Sequence, residues 1–151
     1  MLKLSKKTDY AIILMTHWGE EEDPGSALEV AKQYKLPYPM VANILKQLVS
    51  SGLIESIRGK HGGYVLAKPT DGINLAEIIM VTDSPFNLVE CVHDEDNCKV
   101  HQCCPTQGPL LALHHKIQQF IEETTLAAII RDAKPISLTL EESSYETAYL
   151  S

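Results

Sequence analysis

The chain has 151 residues, of which 44% are hydrophobic and only 6% aromatic, and this suits one compact domain or a small domain with an extension. No stretch approaches the roughly 20 consecutive apolar residues that a transmembrane helix needs. The first residues, Met1 to Asp9, lack the apolar stretch and small residues of a secretory signal. We therefore expect a cytoplasmic protein without membrane association.

Charge is unevenly distributed along the chain. The formal net charge of -7 argues at first against nucleic acid, because Lys and Arg supply the contacts to phosphate. However, residues 1–68 carry nine Lys or Arg against seven Asp or Glu, a net of +2, whereas residues 69–151 carry four against thirteen, a net of -9. This asymmetry suits a DNA-binding head followed by an acidic body. Because the head is only weakly basic, the prediction of DNA binding depends on the local motifs.

Two helices are predicted in the first 34 residues. The first begins near Thr8, whose hydroxyl can cap the free amides, and runs through Trp18; its apolar residues cover most of its circumference, which indicates a buried helix. A second, short helix follows a Pro-Gly break, with Ser26 as its cap and Tyr34 near its end. The residues of this helix expected to face inward are Leu28, Val30 and Ala31.

A third helix and a hairpin complete the first half. The helix has Pro39 in its first turn and an apolar stripe at three- and four-residue spacing until Gly52. Residues 53–58 and 64–66 then read as two short strands joined by a glycine-rich basic turn, residues 59–63. The order helix, helix, turn, helix and hairpin predicts a winged helix-turn-helix, so the fold class is mainly α with a small β-hairpin wing.

The outward residues of the third helix and of the wing are the candidate DNA contacts. On the helix, Asn43 and Gln47 suit adenine edges and Lys46 suits phosphate or guanine, while wing cations can contact phosphates or enter a narrow minor groove. The alternatives without a DNA-binding role are a solvated helix face and an ordinary charged hairpin. Winged helices also serve as protein-interaction modules. The full set is Pro39, Ala42, Asn43, Lys46, Gln47, Arg58, Lys60 and His61.

The second half contains two more predicted helices and a tail. A short capped helix spans residues 74–81, and a long one runs from Pro109 toward Ala128 with apolar residues at three- and four-residue spacing. The long stripe suits a dimerisation helix, because dimeric DNA readers bind two symmetry-related half-sites. His114 and His115 are expected on its solvated surface. Residues 134–151 show no clear periodicity and are expected to form a flexible tail.

All four cysteines lie within fourteen positions in a polar stretch: Cys91, Cys98, Cys103 and Cys104. In a cytosolic chain such clustering favours a metal over a disulfide, and thiolates select zinc or iron-sulfur clusters. Zinc sites usually pair cysteines two to four residues apart, whereas wider spacing suits a larger cluster. Zinc and inert thiols remain alternatives, and adjacent Cys103 and Cys104 are not both expected to ligate. Candidates for a fourth ligand are His93, His101, Gln107 or a carboxylate from elsewhere.

The chain resembles the iron-sulfur winged-helix regulators, the family of IscR, of the nitric-oxide-sensing repressor NsrR and of regulators of the SUF cluster-assembly operon. The resemblance covers about residues 1–130. It is carried by the start Leu4-Ser-Lys-Lys-Thr-Asp-Tyr10, the wing Ser56-Ile-Arg-Gly-Lys-His-Gly-Gly-Tyr-Val-Leu66, the helix start at residues 74–79, the cysteine loop and Thr125-Leu-Ala127. The glycine-rich wing tract and the Cys104-Pro105 pair look closest to SUF regulators.

This resemblance implies a ligand set. It matches Cys104 to the third cysteine of the family and leaves Cys103 as a spare thiol, and it places Arg58 where family members insert an arginine into the minor groove. IscR-like members carry a ligand histidine where Gln107 stands here, which puts an IscR-like fourth ligand in doubt. NsrR-like members carry an aspartate at the position of Asp9 that reaches the partner's cluster, so Asp9 is the best fourth ligand. The alternative is that Asp9 is no ligand and that its carboxylate is stabilised by the helix macrodipole near the N-terminus of the first helix.

These expectations combine into a homodimeric regulator of double-stranded DNA. Residues 1–68 form the winged-helix domain, residues 69–133 the cluster loop and dimerisation helix, and residues 134–151 the tail. Cys91, Cys98, Cys104 and Asp9 hold a [2Fe-2S] or [4Fe-4S] cluster that controls repression of SUF genes. Nitric-oxide sensing and a zinc-stabilised winged-helix module are the alternatives. An enzyme is not expected, since no nucleophile has an evident base and no Cys-x-x-Cys pair occurs.

Overall fold

The computed structural model describes residues 3–89, 100 and 103–133. This part is mainly helical with one two-stranded hairpin, as predicted, and none of its helices is both long and apolar enough to cross a membrane. The expected flexible tail, residues 134–151, lies outside the described residues. The elements are α1 Lys6–Glu20, α2 Ala27–Gln33, α3 Tyr38–Ser50, β1 Ile54–Ile57, β2 Gly63–Leu66, a 3-10 turn Thr70–Gly72, α4 Leu75–Thr82, α5 Gln107–Glu123 and α6 Leu126–Asp132.

Helix α1 is capped by Ser5 and not by Thr8, so the prediction that Thr8 caps it is wrong. The Ser5 side chain accepts a hydrogen bond from the Thr8 amide at 3.2 Å, and its extended backbone lies just outside the helix, as a cap requires. Thr8 lies in the first turn and is fully buried. Its hydroxyl oxygen is 3.0 Å from the hydroxyl oxygen of Thr82 at the end of α4. A buried pair of hydroxyls therefore joins α1 to α4.

Helices α2 and α3 follow the predicted signals closely. Ser26 caps α2 by accepting a hydrogen bond from the Glu29 amide, and Val30 and Ala31 are buried as expected. Leu28 is 48% exposed, so its predicted inward orientation is wrong. A helix of seven residues presents one narrow face to its neighbour, and Val30 and Ala31 already occupy it. The fully buried residues of α3 are Val41, Ile44, Leu45 and Leu48.

The hairpin is anchored to the helices through the segment before α2. Strands β1 and β2 pair antiparallel, with Ile54 opposite Leu66. The Tyr64 amide donates a hydrogen bond to the Gly25 carbonyl at 2.9 Å, and the Gly25 amide donates to the Tyr64 carbonyl at 3.3 Å. A Cβ at Gly63 would overlap the Gly25 backbone, so only glycine allows this approach. The wing is thus held on both sides of β2.

Helix α4 begins at a complete capping box. The Asn74 side chain accepts a hydrogen bond from the Glu77 amide at 2.9 Å, and the Glu77 carboxylate accepts one from the Asn74 amide at 3.1 Å. This confirms the predicted helix start and places the end one residue beyond the expected position. Ile78 of α4 and Ile73 before it are fully buried in the same core cluster as α1 and α3.

The predicted single helix from Pro109 to Ala128 is wrong, because the chain breaks between α5 and α6. α5 ends at Glu123, and the Thr125 side chain then caps α6 by accepting a hydrogen bond from the Ala128 amide at 3.1 Å. The Leu126 amide donates to the Ile73 carbonyl at 2.8 Å, and the Leu126 side chain is fully buried in the core. The break lets α6 pack on α1 while α5 packs on α4.

Candidate DNA-binding surface and cysteine region

The predicted contact residues of α3 lie opposite its buried stripe. Pro39, Asn43 and Lys46 are exposed, and Ala42 is half-buried. Their spacing of three and four residues places them on one helix face. That face carries an amide, a cation and two small or apolar side chains, which is a composition suited to close approach to a nucleic-acid groove.

Gln47 differs from its neighbours on this face. The side chain is half-buried, and its Oε1 atom is buried without a hydrogen-bond partner among the described residues. An unpaired buried carbonyl oxygen costs free energy. A hydrogen-bond donor from a bound partner would therefore favour a different rotamer of the Gln47 side chain. The prediction that Gln47 reads an adenine edge therefore requires its side chain to swing outward.

Three residues predicted to contact DNA lie around the tip of the wing. Arg58, Lys60 and His61 are exposed, and none of them forms a salt bridge within the described ranges. The turn owes its shape to glycine: Gly59 has a φ of +124°, and a Cβ at Gly62 would collide with the Ile57 carbonyl oxygen. The wing therefore presents its basic groups on a tightly folded tip.

Tyr38 belongs to the same surface, although the sequence analysis missed it. It is the first residue of α3 and is 48% exposed. The N-terminal residues of a recognition helix are those that approach base edges, so its position directly before Pro39 was the available signal. The phenol hydroxyl can both donate and accept a hydrogen bond.

The cysteine region is only partly described. Cys91 and Cys98, together with His93 and His101, lie outside the described residues. Within those residues, no group of three or more His, Cys, Asp or Glu side chains is placed to hold a metal ion. The predicted ligand set is therefore visible only at Cys104 and Asp9. Asp9 is exposed in the first turn of α1, and its role as a ligand stays a prediction.

Cys104 has an environment that favours its thiolate. Its Sγ atom lies 3.5 Å from the hydroxyl oxygen of Thr106, and this hydrogen bond lowers the pKa of the Cys104 thiol below its usual range. Backbone hydrogen bonds from Thr106 and Gln107, at the start of α5, act in the same direction. The neighbouring Cys103 is exposed, and its thiol donates to the Val100 carbonyl oxygen at 3.6 Å. The two adjacent thiols therefore have different surroundings.

His114 does not lie on a solvated surface as predicted. It is 2% exposed, and its ring stacks on that of Phe86 with centroids 5.6 Å apart and planes 7° apart. Its Nδ1 atom accepts a hydrogen bond from the Leu88 amide at 3.4 Å. His115, the next residue, is exposed as expected. The helix face that carries His114 is covered by a segment from beyond α4, which local sequence could not reveal.

Comparison with known proteins agrees with this geometry. HTH-type transcriptional regulator NsrR from Shouchella clausii is 28% identical over 148 residues, covering 96% of this chain and 99% of that protein. CymR from Bacillus subtilis, also named an HTH-type transcriptional regulator, is 33% identical over 127 residues, covering 83% and 87%. The structure of T. potens IscR superposes with a TM-score of 0.68 at 26% identity, covering 88% of this chain and 89% of that one.

Both named relatives are HTH-type transcriptional regulators, and the similar structure has the same winged-helix architecture. Residues 4–132 match the sequence profile of the Rrf2 family, described as "Iron-dependent Transcriptional regulator". This match spans the head, the region of the cysteines and both α5 and α6. The chain belongs to the Rrf2 family of transcriptional regulators.

Proposed function

We propose that this protein is a repressor that binds double-stranded DNA as a homodimer and whose DNA affinity is controlled by an iron-sulfur cluster. The observation that carries the proposal is the uncovered face of α3 together with the basic wing tip on the same head. A protein-interaction module would not need this combination of an exposed amide and cation on α3 with an exposed arginine on a glycine-shaped wing.

Each part of this surface has a separate role in DNA recognition. α3 enters the major groove, where Asn43 pairs with an adenine edge and Lys46 with phosphate or guanine. Pro39 and Ala42 are small enough to let the helix approach the bases closely. The wing lies on the backbone, with Lys60 and His61 contacting phosphate and Arg58 entering the minor groove.

Helix α5 supplies the dimer interface in this proposal. It presents two large apolar side chains to solvent, Leu113 at 46% and Phe120 at 69% exposure. A twofold axis through this helix would bury both residues against their symmetry mates. Two recognition helices related by that axis would read half-sites about one turn of DNA apart.

Cys104, the described cysteine of the proposed ligand set, has a chemistry suited to an iron-sulfur cluster. Cysteine ligands of a cluster bind as thiolates, and the Thr106 hydroxyl stabilises the thiolate of Cys104. When bound, the cluster would supply a centre that iron starvation or oxidants can remove. We assign Cys91, Cys98 and Cys104 as ligands and Asp9 as the fourth. Because Cys104 directly precedes α5, its ordering by ligation would bias the orientation of the dimer helix.

The regulated genes are inferred from the sequence resemblance to SUF regulators. A holo-dimer that represses a cluster-assembly operon would close a loop in which sufficient cluster supply stops further assembly. Expression of a reporter fused to the promoter of that operon should rise under iron starvation and under oxidant. A response to nitric oxide alone would favour the alternative signal, and a response to none of these would contradict the regulatory proposal.

The cluster is tested by the visible absorption spectrum and the iron and sulfide contents of anaerobically purified protein. Wild type should be brown with matched iron and sulfide, and Cys91→Ala, Cys98→Ala and Cys104→Ala should each lose the colour. Cys103→Ala is the matched control and should keep it. A colourless protein containing zinc would contradict the cluster and leave the DNA-binding part of the proposal standing.

DNA binding is tested with duplexes that the wild-type protein selects from a random pool. Arg58→Ala should weaken binding roughly 5- to 150-fold, since a groove contact by arginine is worth about 1–3 kcal/mol. Arg131→Ala removes an equal charge from the exposed surface of α6, away from α5 and the wing, and should change the affinity less than twofold. Equal losses in the two variants would mean that binding depends on total charge and not on the wing.

A further inference from the structure

The end of α1 carries an aromatic cluster that contacts both parts of the proposed DNA-binding surface. Trp18 is 3% exposed, and its indole ring lies against the phenol ring of Tyr64 in β2, with centroids 5.8 Å apart. The preceding residue, His17, is also buried, and its ring meets that of Tyr34 edge-on with centroids 5.6 Å apart. Two neighbouring residues of α1 thus contact the wing and the end of α2.

On the wing, this contact lies close to the tip. Tyr64 pairs with Ser56 in the hairpin, two residues before Arg58. The two backbone hydrogen bonds from Gly25 hold the other edge of β2 at the same tyrosine. A Cβ at Gly25 would lie 2.9 Å from Nε1 of Trp18, so the indole fills the space beside this junction. The backbone next to the tip is therefore fixed by packing against Trp18.

On the helix-turn-helix, the contact lies at the turn before α3. The Nδ1 atom of His17 is 3.2 Å from the hydroxyl oxygen of Tyr34, the residue at which α2 ends. Tyr38, the first residue of α3, follows four residues later, a stretch that spans at most about 14 Å. The rings of His17 and Trp18 are themselves in edge contact, with centroids 5.5 Å apart. The wing and the start of α3 are therefore positioned by the same two residues of α1.

Packing holds the indole in this place. Nε1 of Trp18 is buried and has no hydrogen-bond partner in the described ranges. No hydrogen bond of its own therefore fixes the ring, although an unpaired buried donor costs free energy. The shape of the neighbouring groups determines where the ring lies, and in a close-packed interior the addition of one methyl group beside it should move it.

We propose that Trp18 is a positioning residue for DNA binding: its indole fixes the wing tip relative to α3, so that Arg58 and Lys46 reach one DNA site together. This inference rests on the proposed DNA-binding surface. Trp18 itself is buried and makes no contact with DNA. Its role is to hold the contacting groups in one geometry, which binding by several groups at once requires.

The first test is a mutant cycle on the duplex that the wild-type protein selects, measured at low salt so that every variant binds. Gly25→Ala places a methyl group against the indole and should weaken binding about tenfold, within the range of a lost groove contact. In a protein with Arg58, Lys60 and His61 all replaced by alanine, Gly25→Ala should weaken binding less than about twofold, because no tip contact remains to be misplaced. In Lys46→Ala protein the loss should still be about tenfold, because the wing contacts remain.

Two variants of Tyr64 provide a matched pair. Tyr64→Ala removes the ring that packs on the indole and should show the same dependence on the tip residues, whereas Tyr64→Phe keeps the ring and should bind within about twofold of wild type. Equal losses in both would mean that the hydroxyl contacts DNA, and would contradict the proposal. Thr82→Val, which weakens the contact of α4 with the opposite end of α1, controls for stability and should leave the DNA affinity within about twofold of wild type.

The second test needs no DNA. Trp18 is the only tryptophan of the chain, so the fluorescence emission reports on this contact alone. Gly25→Ala and Tyr64→Ala should shift the emission to longer wavelength because water reaches the indole, and Tyr64→Phe should not. Unchanged emission in both alanine variants would show that the indole does not depend on these neighbours.

The two proposals fail in different ways. A wild-type protein that binds no DNA while its variants show the expected emission shifts would overturn the DNA-binding surface and, with it, the role of Trp18 there. A wild type that binds DNA and loses as much affinity to Gly25→Ala without the tip residues as with them would overturn the positioning role alone. If Gly25→Ala did not fold, Tyr64→Ala would serve in the same cycle.

Discussion

Helices α3 and α5 are both amphipathic, yet the protein uses their apolar faces differently. α3 buries Val41, Ile44, Leu45 and Leu48 completely within the core of the head. α5 is longer but buries only His114, and it leaves Leu113 and Phe120 exposed. The apolar face of α3 is therefore covered within the core, whereas α5 carries apolar surface that the other described residues do not cover. Exposed apolar surface of this kind marks an interaction site.

The largest effect is expected at the proposed dimer interface, where α5 packs against α5 of a second copy. Phe120→Asp should raise the dimer dissociation constant roughly thousandfold, because about 2 kcal/mol per phenyl ring is lost twice across a twofold axis. Analytical ultracentrifugation measures the constant. Gln119→Asp changes a neighbouring exposed residue and should leave it nearly unchanged. A stable Phe120→Asp dimer would place the interface elsewhere.

In α3, loss of an apolar side chain should lower the stability of the fold and not the affinity of the dimer. Leu45→Ala should lower the free energy of unfolding by about 3 kcal/mol, because it opens a cavity in a fully buried site. Met80→Ala, at a side chain that is 68% exposed, should cost less than about 1 kcal/mol at the same protein concentration. Urea denaturation provides both values. Similar costs for the two variants would mean that Met80 is covered in the assembled protein.

The connection between α1 of the head and α4, on which α5 packs, is tested at the buried hydroxyl pair of Thr8 and Thr82. Thr82→Val should lower the free energy of unfolding by about 1 kcal/mol, because the Thr8 hydroxyl loses its buried partner and keeps only the Ser5 hydroxyl, at 3.0 Å. Thr82 also donates to the Ile78 carbonyl oxygen at 2.9 Å, so part of the cost comes from that lost bond. The double variant Thr8→Val with Thr82→Val should recover part of the loss. A larger loss in the double variant would contradict the pairing.

The smallest effect concerns the thiol that precedes α5. In apo-protein with the other three cysteines replaced by serine, the pH midpoint for alkylation of Cys104 should lie below that of an ordinary thiol, because the Thr106 hydroxyl stabilises the thiolate. Thr106→Val should move this midpoint upward and slow alkylation at pH 7, while Thr106→Ser should retain it. An unchanged midpoint in Thr106→Val would remove Thr106 as the cause.

Much of the head and the start of α4 were predictable because their signals are local. The Ser26 cap, the apolar stripe of α3, the Asn74 cap and the glycine-shaped wing each depend on residues within a few positions of one another. The order of these elements then indicated a winged helix, and the outward residues of α3 and the wing followed from helical periodicity. The motifs also sufficed to indicate the regulator family.

Three features depended on residues distant in the sequence. Thr8 has the residue type of a cap, but Thr82, 74 positions later, gives it a buried partner. The apolar stripe of α5 continues across Thr124 and Thr125, but the burial of Leu126 beside Ile73 turns the chain into α6.

His114 shows the same limit within a single helix. Its sequence neighbours do not distinguish it from the exposed His115, and its burial comes from Phe86 and Leu88. The sequence by itself determined where α2 and α4 begin and which helix faces are apolar, since these are properties of neighbouring residues. Only the tertiary structure decided what covers each face, because burial depends on which distant segments the completed fold brings into contact.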